Sequence, residues 1–437
     1  MRILFIVPYT PTRIRTRPLN LIRALIEAGH ELTVATLWTT EDELREFLQI
    51  VQGGCKVLCE DITKYRSLRN CLFGLASRAP LQASYSWKAT LASRLAALLA
   101  TQDYDVIHVE HLRGARYALS VQTLLARQGK NHVPVIWDSV DCISGLFEQT
   151  ARGSRSFASR SVARLELGRT RRYEGWLVRR LDRVVVTSSV DRSQLLHLAS
   201  TFAPGNGSNL DLENRVTVVP NGVDLEYFRP LEGAREESTL VVSGKMSYHA
   251  NETAVISFVE QAMPRIWAER PDVQVWIVGK DPSRQVRDLK SDRVVITGTV
   301  PDIRPFLQRA CVAIAPIQYS AGVQNKVLEA LACGTPVVAT PQAVAGLSLQ
   351  PGVHLSVGRG MDGLADAVLG LLDNPDQRRH LGKSGRCFVE TNHNWRSIAG
   401  LLEDIYREAR HEAIDGPSER GRLVRSSRAD GASALPH

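Results

Sequence analysis

Short apolar runs that alternate with helical segments are the feature that most limits how this chain can fold. In the first half the runs are RILFIVP (2–8), ELTVATL (31–37), DVIHVE (105–110), PVIWDS (134–139) and RVVVTS (183–188). In the second half they are TLVVSG (239–244), VQVWIVG (273–279), VVITGTV (294–300), CVAIAPI (311–317) and PVVAT (336–340). Parallel strands joined by crossover helices produce this order. The sequence therefore predicts an α/β fold throughout.

The runs form two series, and each series restarts with a strand that leads into a loop typical of ligand sites. A chain of 437 residues, 44% hydrophobic and 23% charged, exceeds what one hydrophobic core usually supports. Pro220, Asn221, Gly222 and Pro230 indicate a linker in RVTVVPNGVDLEYFRP, residues 215–230. We predict one doubly wound domain at residues 1–222 and a second at 223–395. A helix at 396–415 is expected to pack back on the first domain, and residues 416–437 to form a disordered tail.

Several classes of protein are disfavoured by composition. No apolar run is long enough to span a bilayer, and Arg2, Pro8 and Arg13 interrupt the first apolar stretch, so we expect a cytoplasmic protein. The seven cysteines are scattered, and only Cys55 and Cys59 are close together. We therefore expect reduced, mostly buried thiols, no metal and no cofactor. The net charge of +8 favours anionic partners.

The segment AGVQNKVLEALACGTPVVAT, residues 321–340, has the pattern of a helix followed by a strand. Gly334 and Pro336 end the helix. At its start, Asn325, Lys326 and Glu329 share one face, because residues three and four apart are helical neighbours. A solvated face with an ordinary ion pair is one interpretation of this pattern.

The position of this helix favours a second interpretation. Two doubly wound domains that face each other leave a ligand cleft at the carboxyl ends of their strands. The helix follows the strand CVAIAPI, and the N-terminus of a helix favours a phosphate. Gln324 and Asn325 would shape the turn, Lys326 would bind a phosphate, and Glu329 would accept hydrogen bonds from a ribose. Together these four residues predict a binding site for a nucleotide diphosphate.

The order of several phrases resembles a known family. They are VVPNGVD, SGKMSYHAN, VQVWIVGKDP, VVITGTVPD and VLEALACGTPVVAT, with RPLNLIRAL, HVEHLRGARYAL, VIWDSVDCIS, YEGWLVRRLDRVVVTS and GVQNKVLEALA. They are similar to retaining GT-B glycosyltransferases of family 4, and most like a bacterial subgroup associated with exopolysaccharide and protein-sorting gene clusters. The resemblance spans roughly residues 1–410. It implies a nucleotide-sugar donor in the second domain, an acceptor in the first, and retention at the anomeric carbon.

The resemblance also assigns residues on the donor side. Glu329 matches the glutamate that binds the donor ribose, whereas Ala321 stands where the family has an acid that contacts the transferred sugar. Lys245 matches the first member of a basic pair, and Ala250 stands near the second position. Lys326 is then the candidate for the missing cation, which would stabilise charge on the departing diphosphate.

Polar residues at two strand ends are candidates for the acceptor side. Asp138, Asp141 and Glu110 are the candidate catalytic acids, although Asp141 is also a good cap for the following helix. His111 is a further candidate, whereas His108 is expected to be a buried core histidine. In the loop after the first strand, Arg13, Arg15 and Arg17 are candidates for contact with an acceptor phosphate, and solvation is the alternative.

The arginine-rich segment 152–183 has two interpretations. A basic helix carrying Trp176 and Leu177 can lie on an anionic membrane surface, or it can pack an apolar stripe on its own domain. Nucleic-acid binding is disfavoured, since no recognised nucleic-acid motif accompanies the charge.

The expected function is transfer of a sugar from a nucleotide-diphosphate sugar to a hydroxyl acceptor, in the synthesis of exopolysaccharide or another cell-surface glycan. Such a protein would work in the cytoplasm, with peripheral membrane contact through residues 152–183. Alternatives on the same fold are an NDP-sugar epimerase, a phosphorylase and a non-catalytic protein that binds nucleotide sugars. A two-lobed solute-binding protein would need an export signal.

Overall fold

The computed structural model describes residues 1–75, 77–153, 157–202, 209–231, 233, 235–319 and 323–415. Ala321 and the predicted tail 416–437 lie outside these residues. The chain divides into two compact units, with the boundary between Val219 and Pro220. The second unit consists mainly of Pro220–Ser397, and the chain from Ile398 onward returns to the first unit.

Within the described residues, the first unit is built on a parallel sheet with strand order β3-β2-β1-β4-β5-β6-β7. Its strands are β1 (Arg2–Val7), β2 (Glu31–Trp38), β3 (Cys55–Asp61), β4 (Val106–Glu110), β5 (Val135–Val140), β6 (Arg183–Val186) and β7 (Val216–Val218). Its helices are α1 (Thr16–Glu27), α2 (Glu41–Val51), α3 (Lys64–Leu75), α4 (Leu81–Tyr85), α5 (Ala89–Thr101), α6 (His111–Arg127), α7 (Ile143–Gly153), α8 (Phe157–Arg180), α9 (Ser189–Phe202) and α10 (Asn209–Arg215).

The second unit repeats the plan on a sheet with strand order β10-β9-β8-β11-β12-β13 in the described part of the chain. Its strands are β8 (Glu236–Ser243), β9 (Gln274–Val278), β10 (Val294–Gly298), β11 (Ala310–Ala315), β12 (Val337–Ala339) and β13 (Ser356–Val357). Its helices are α11 (His249–Ser257), α12 (Met263–Glu269), α13 (Arg284–Arg287), α14 (Arg304–Arg309), α15 (Asn325–Ala332), α16 (Pro341–Val344), α17 (Gly360–Leu372) and α18 (Pro375–Asn392). A π-helical segment, Phe258–Ala262, joins α11 to α12.

The last helix, α19 (Trp395–Asp415), belongs for most of its length to the first unit. The Tyr406 hydroxyl is hydrogen-bonded to His108 Nδ1 at 2.8 Å. Arg410 pairs with Asp105 at 2.9 Å, and Glu412 pairs with Arg183. This helix is therefore held both by a buried polar contact and by ion pairs at its surface.

The prediction of two doubly wound parallel sheets is confirmed. The central strands are mostly apolar because helices cover both faces of a parallel sheet, and Ile3 to Val7 of β1 are completely buried. The strands β3, β7 and β13 were not predicted from the sequence. The edge strand β3 is half exposed and mixes polar with apolar residues, and β13 has two residues. The predicted linker 215–230 includes the last residue of α10 and the whole of β7.

The expectation of mostly buried thiols is wrong. All seven cysteines lie in the described chain and are free, but only Cys142, Cys311 and Cys333 are buried, while Cys387 is exposed.

Candidate functional site

Each sheet has one point at which the strand order reverses direction, between β1 and β4 in the first unit and between β8 and β11 in the second. The loops that leave these neighbouring strands run to opposite faces, which opens a crevice at their carboxyl ends. Open α/β sheets bind ligands in such crevices. Several candidate residues lie at these two points: Glu110 ends β4, His111 follows it, and Lys245 follows β8.

Close backbone approach shapes the crevice of the second unit. Gly244, at the end of β8, and Gly279, at the end of β9, have φ angles of +148° and +154°. A Cβ on Gly279 would lie 1.7 Å from the carbonyl oxygen of Gly244. Only glycine fits there, so the two strand ends approach each other with no side chain between them.

Lys326 reaches this same point from α15. Its ammonium donates a hydrogen bond to Asn251 Oδ1, and the Asn251 amide donates to the backbone carbonyl of Lys245 at 2.9 Å. A Cβ on Gly244 would lie 3.2 Å from Lys326 Nζ. The structure therefore brings Lys326 to the loop that carries the exposed Lys245, with Asn251 joining them.

Both ends of α15 are well defined. Gln324 is its N-cap residue, and Asn325 Oδ1 accepts a hydrogen bond from Asn221 Nδ2 at 3.2 Å. At the other end Gly334 has φ +65°, its N–H donates to Leu331, and the Thr335 N–H donates to Ala330. This is a Schellman motif, so the predicted helix end is confirmed.

Glu329 follows Lys326 by one turn on α15 and is half-buried. Burial raises the pKa of Glu329 to about 7, against the opposing effect of the Lys326 charge. Burial lowers the pKa of Lys326 to about 8, and Glu329 opposes that change. Burial therefore disfavours the charged form of each group, and pKa values shifted in this way are common at functional sites.

Three residues at this crevice were not identified from the sequence: Asn251, His249 and Tyr319. The rings of His249 and Tyr319 meet edge to face at 5.6 Å. His249 Nδ1 is buried with no hydrogen-bond partner among the described residues. The polar phrase SYHAN after β8 contains His249 and Asn251 and was a signal for both. Tyr319, which His249 contacts, lies 70 residues further along the chain.

In the first unit, Glu110 ends β4 at the reversal point and is 2% exposed. Burial, with a further contribution from the Asp138 charge, raises the pKa of Glu110 to about 8. Tyr9 donates a hydrogen bond to this carboxyl group, while Glu110 Oε2 has no partner in the described chain. Glu110 is thus a neutral acid near pH 7 with one unused oxygen.

His111 follows Glu110 with φ +63°, a left-handed conformation that is uncommon outside glycine. Its Nδ1 accepts a hydrogen bond from the Arg113 N–H at 3.2 Å, which leaves the ring proton on Nε2. Burial, together with the charge of Arg113, lowers the pKa of His111 to about 3. The imidazole therefore stays neutral and stands edge to face with Tyr9 at 6.1 Å.

Asp138 is completely buried and ion-paired with Arg17. Arg17 donates a hydrogen bond to Asp138 Oδ2 through Nε at 2.8 Å and to the Val219 carbonyl through Nη1 at 3.0 Å. Its Nη2 lies 2.8 Å from the same Asp138 oxygen and completes the ion pair. Asp138 Oδ1 accepts the Val140 N–H. The expectation of a solvated or phosphate-binding Arg17 is therefore wrong. His108 is the expected buried histidine: it bonds Tyr406, and burial lowers its pKa to about 4.

Asp141 does not cap α7, contrary to the sequence expectation. Glu174 accepts the N–H groups of Ile143 and Ser144, and Asp191 accepts that of Cys142. Asp141 accepts a hydrogen bond from the Thr187 hydroxyl at 3.3 Å instead. Burial and the nearby Asp191 raise the pKa of Asp141 to about 7.

The remaining arginine candidates differ in position. Arg15 donates to the Thr10 carbonyl at 3.1 Å, and its guanidinium lies 5.1 Å from the ring centre of Tyr9, so it is near Glu110. Arg13 is exposed and pairs with Glu46 at 3.5 Å. The structure brings together Arg15, Glu110 and His111 around Tyr9, and leaves Arg13 at the surface.

The arginine-rich segment packs largely within its own unit. On α8, Tyr173, Leu177 and Val178 are buried, and Arg171 pairs with Glu148 at 2.7 Å. Arg179 donates to the Ala199 carbonyl at 2.9 Å. Residues 154–156 of the predicted membrane segment lie outside the described chain.

Two other kinds of site are absent from the described residues. No group of three or more His, Cys, Asp or Glu side chains there is arranged to hold a metal ion. No helix there has both the length and the apolarity needed to cross a membrane.

Comparison with known proteins agrees with this architecture. The family model "Glycosyltransferase Family 4" matches residues 15–227, and the model "Glycosyl transferases group 1" matches residues 237–374. The crystal structure of HepE from Anabaena in complex with UDP has a TM-score of 0.63 at 14% identity, and the match covers 93% of this chain and 100% of that one. The two sheets and their crevices define a GT-B glycosyltransferase fold. The first half of the chain thus matches a model of glycosyltransferase family 4 and the second half a model of group 1 glycosyl transferases, as the motifs implied.

Curated relatives agree at the level of the family. Glycogen synthase from Mycobacterium tuberculosis is 27% identical over 253 residues, which is 54% of this chain and 56% of the relative. The match thus spans about half the length of that relative. Phosphatidyl-myo-inositol mannosyltransferase from Mycolicibacterium smegmatis is 24% identical over 424 residues, 93% of each chain.

Proposed function

We propose that this protein transfers a hexosyl group from a nucleotide-diphosphate sugar to a hydroxyl acceptor. The observation that carries the proposal is the meeting of Lys326 with the bare backbone of Gly244 at the β8/β11 reversal point. A diphosphate can approach this backbone closely, because glycine has no side chain of its own, and it finds a cation and the N-terminus of α15 beside it.

In this proposal the residues of the second unit bind the donor. Lys326 and Lys245 bind the diphosphate, Gln324 and Asn325 set the start of α15, and Glu329 accepts hydrogen bonds from ribose hydroxyls. A bound diphosphate would stabilise the charged form of Lys326, whose pKa burial lowers to about 8 in the free protein. No metal ion or other cofactor is required, since the cations and helix amides stabilise the departing charge.

We further propose that transfer retains the anomeric configuration. The acceptor hydroxyl attacks the anomeric carbon on the face from which the diphosphate departs, and the leaving phosphate oxygen takes the hydroxyl proton. On the acceptor side, Glu110, His111 and Arg15 contact the acceptor, while Asp138 acts through Arg17 as a positioning residue. Asp141 and Arg13 are secondary candidates. The unused Oε2 of Glu110 supports its role.

The proposed acceptor is a lipid-linked or growing glycan of the cell surface, such as an exopolysaccharide, made by a cytoplasmic protein with peripheral membrane contact through residues 152–183. The name of the Mycolicibacterium smegmatis relative, a phosphatidyl-myo-inositol mannosyltransferase, supports a lipid-linked acceptor. The Mycobacterium tuberculosis relative, a glycogen synthase, supports a polysaccharide product.

A panel of nucleotides and sugars tests the donor site. UDP comes first, because the Anabaena neighbour was solved with it, followed by GDP, ADP and the corresponding sugars. A ligand that binds only the folded protein raises its melting temperature, and we expect one nucleotide series to do so. The shift should be clearly smaller in Lys326→Ala and unchanged in Lys290→Ala, which alters an exposed lysine just before β10.

Turnover of the nucleotide sugar that binds then tests the activity. We expect release of the nucleoside diphosphate to depend on an added glycan or lipid-linked acceptor. Conversion of the donor without any acceptor would indicate an epimerase instead. No thermal shift with any nucleotide in the panel would contradict the proposed function.

A further inference from the structure

Helix α3 exposes its large apolar side chains and buries its small ones, the reverse of an ordinary surface helix. Its large apolar residues point to solvent: Tyr65 is 76% exposed, Phe73 74%, and Leu68 and Leu72 61% each. Leu68 and Leu72 are one turn apart, and Tyr65 is one turn before Leu68, so these three form a stripe. An apolar stripe on a surface helix normally faces the core.

The opposite face of α3 is small and polar, and it is fixed against the unit. Asn70 Nδ2 donates to the carbonyls of Trp87 at 2.8 Å and Tyr85 at 3.3 Å. Ser67 is buried, and a Cβ on Gly74 would lie 3.2 Å from Ser84 Oγ. Because these contacts need the small residues inward, the helix cannot turn its apolar stripe toward the core.

The sequence segment that contains α3 carries only basic charges. Residues 62–102 include no Asp or Glu, and their basic residues are Lys64, Arg66, Arg69, Arg78, Lys88 and Arg94. Lys88 pairs with Glu60 and Asp61, and Arg94 with Glu60. Lys64 and Arg69 are exposed on α3 itself, so the apolar stripe is bordered by cations.

The start of α8 extends this surface. Arg169 Nη2 donates to the Gly74 carbonyl at 2.7 Å, and Glu166 accepts the Leu81 N–H at 2.6 Å, which fixes α8 against the end of α3. Val162 and Leu165 share the helix face of Arg169 and are 55% and 60% exposed. Two more apolar side chains thus reach solvent on the helix that contacts α3.

We propose that α3, together with Val162 and Leu165, docks the protein on an anionic lipid bilayer. An exposed apolar stripe with basic borders suits an interfacial helix, which buries its apolar face at the acyl boundary and pairs its cations with lipid headgroups. A protein partner would have to present an apolar surface with an acidic rim. The same surface of a second copy would not, because residues 62–102 contain no Asp or Glu. This inference rests on the peripheral association proposed above, and it adds the apolar stripe of α3 to the arginine-rich segment, which contributes Val162 and Leu165.

Vesicle binding of the full chain tests the proposal. We expect the protein to sediment with vesicles of phosphatidylglycerol and phosphatidylcholine, to bind pure phosphatidylcholine weakly, and to bind less at high salt. The double variant L68E/L72E should lose roughly tenfold or more of its partitioning, since it places charge in the apolar layer. Leu401→Glu on α19, where leucine is 49% exposed, is the matched control and should bind like the wild type.

A milder double variant, L68Q/L72Q, separates docking from folding, and we expect it to reduce vesicle binding in the same direction. Both double variants should keep the nucleotide-induced thermal shift, which tests the donor site separately. Unchanged sedimentation of L68E/L72E would overturn the proposal. So would a wild-type dimer in solution that this variant abolishes, with no binding to anionic vesicles.

Discussion

The ammonium of Lys326 donates a hydrogen bond to the side chain of Asn251, 75 residues earlier in the chain. This bond joins the first turn of α15 to the first turn of α11, on either side of the reversal point of the second sheet. Asn251 also donates to the Lys245 carbonyl. The side-chain amide of Asn251 therefore orients both the backbone of Lys245 and the side chain of Lys326.

Loss of the Lys326 ammonium should weaken nucleotide binding strongly. A charge-assisted hydrogen bond contributes about 1.5–3 kcal/mol, so Lys326→Ala should lower UDP affinity about 10- to 100-fold by calorimetry. Asn251→Ala should have a smaller effect of roughly three- to tenfold, because it removes orientation and keeps the charge. Lys290→Ala should leave affinity unchanged. Equal affinity of Lys326→Ala and wild type would place the diphosphate elsewhere.

Nucleotide binding should weaken in alkaline solution. The pKa of Lys326 is lowered by burial to about 8, so its ammonium loses its proton as the pH rises through that value. UDP affinity measured at pH 7 and pH 9 should therefore fall by about tenfold. Lys326→Arg should remove this dependence, since a guanidinium remains charged throughout the range. A flat profile for the wild type would show that Lys326 is not the titrating group.

Glu110 should make folding depend on pH in a defined direction. Its pKa in the folded protein is raised to about 8, so the stabilisation from its protonated form is fully present below about pH 4.5 and is lost as the pH rises to about 8. Relative to Glu110→Gln, the wild type should lose on the order of 5 kcal/mol over this window. Denaturant unfolding at several pH values measures the difference. The exposed Glu269, changed to Gln, should show no comparable trend.

Gly279→Ala should disrupt the donor crevice through the backbone. The new Cβ would lie 1.7 Å from the Gly244 carbonyl oxygen, so both strand ends must move. We expect a loss of more than about 3 kcal/mol in the free energy of unfolding, measured with denaturant, and weaker UDP binding in whatever protein folds.

Gly352→Ala is the matched control for this substitution. Gly352 also has a positive φ of +79°, but no atom lies within 4 Å of its added Cβ. Strain alone should then cost about 1 kcal/mol, and UDP binding should be kept. Equal costs for the two variants would argue against close approach as the reason for Gly279.

Much of the fold was predictable because its signals are local. The runs that form β1 and β11 are almost wholly apolar, those of β4 and β8 are largely so, and Gly334 followed by Pro336 indicates the end of α15 from the sequence alone. The strand β3 was missed because an edge strand needs less apolar sequence, and Cys55–Asp61 is only partly buried along its length. A strand of two or three residues, such as β13 or β7, carries too little pattern to be recognised.

The candidate site was predictable only in part. The sequence indicated Lys326 and Glu329 through their spacing on one helix. It did not indicate Asn251, whose partner lies on another helix, nor Glu174, which takes the role at α7 expected of Asp141. A local cap such as Asp141 is the natural inference from sequence, but a buried carboxylate from a neighbouring helix competes for the same N–H groups.

By itself, then, the sequence determined the two α/β series, the end of α15 and the motifs of the glycosyltransferase family, because propensity, periodicity and turn chemistry act over a few residues. Tertiary structure alone decided that Arg17 is buried against Asp138, 121 residues away, and that Lys326 meets Gly244 and Asn251. It also decided which face of α3 is exposed. The physical reason is that burial and charge pairing depend on which atoms the fold brings together, and those atoms are far apart along the chain.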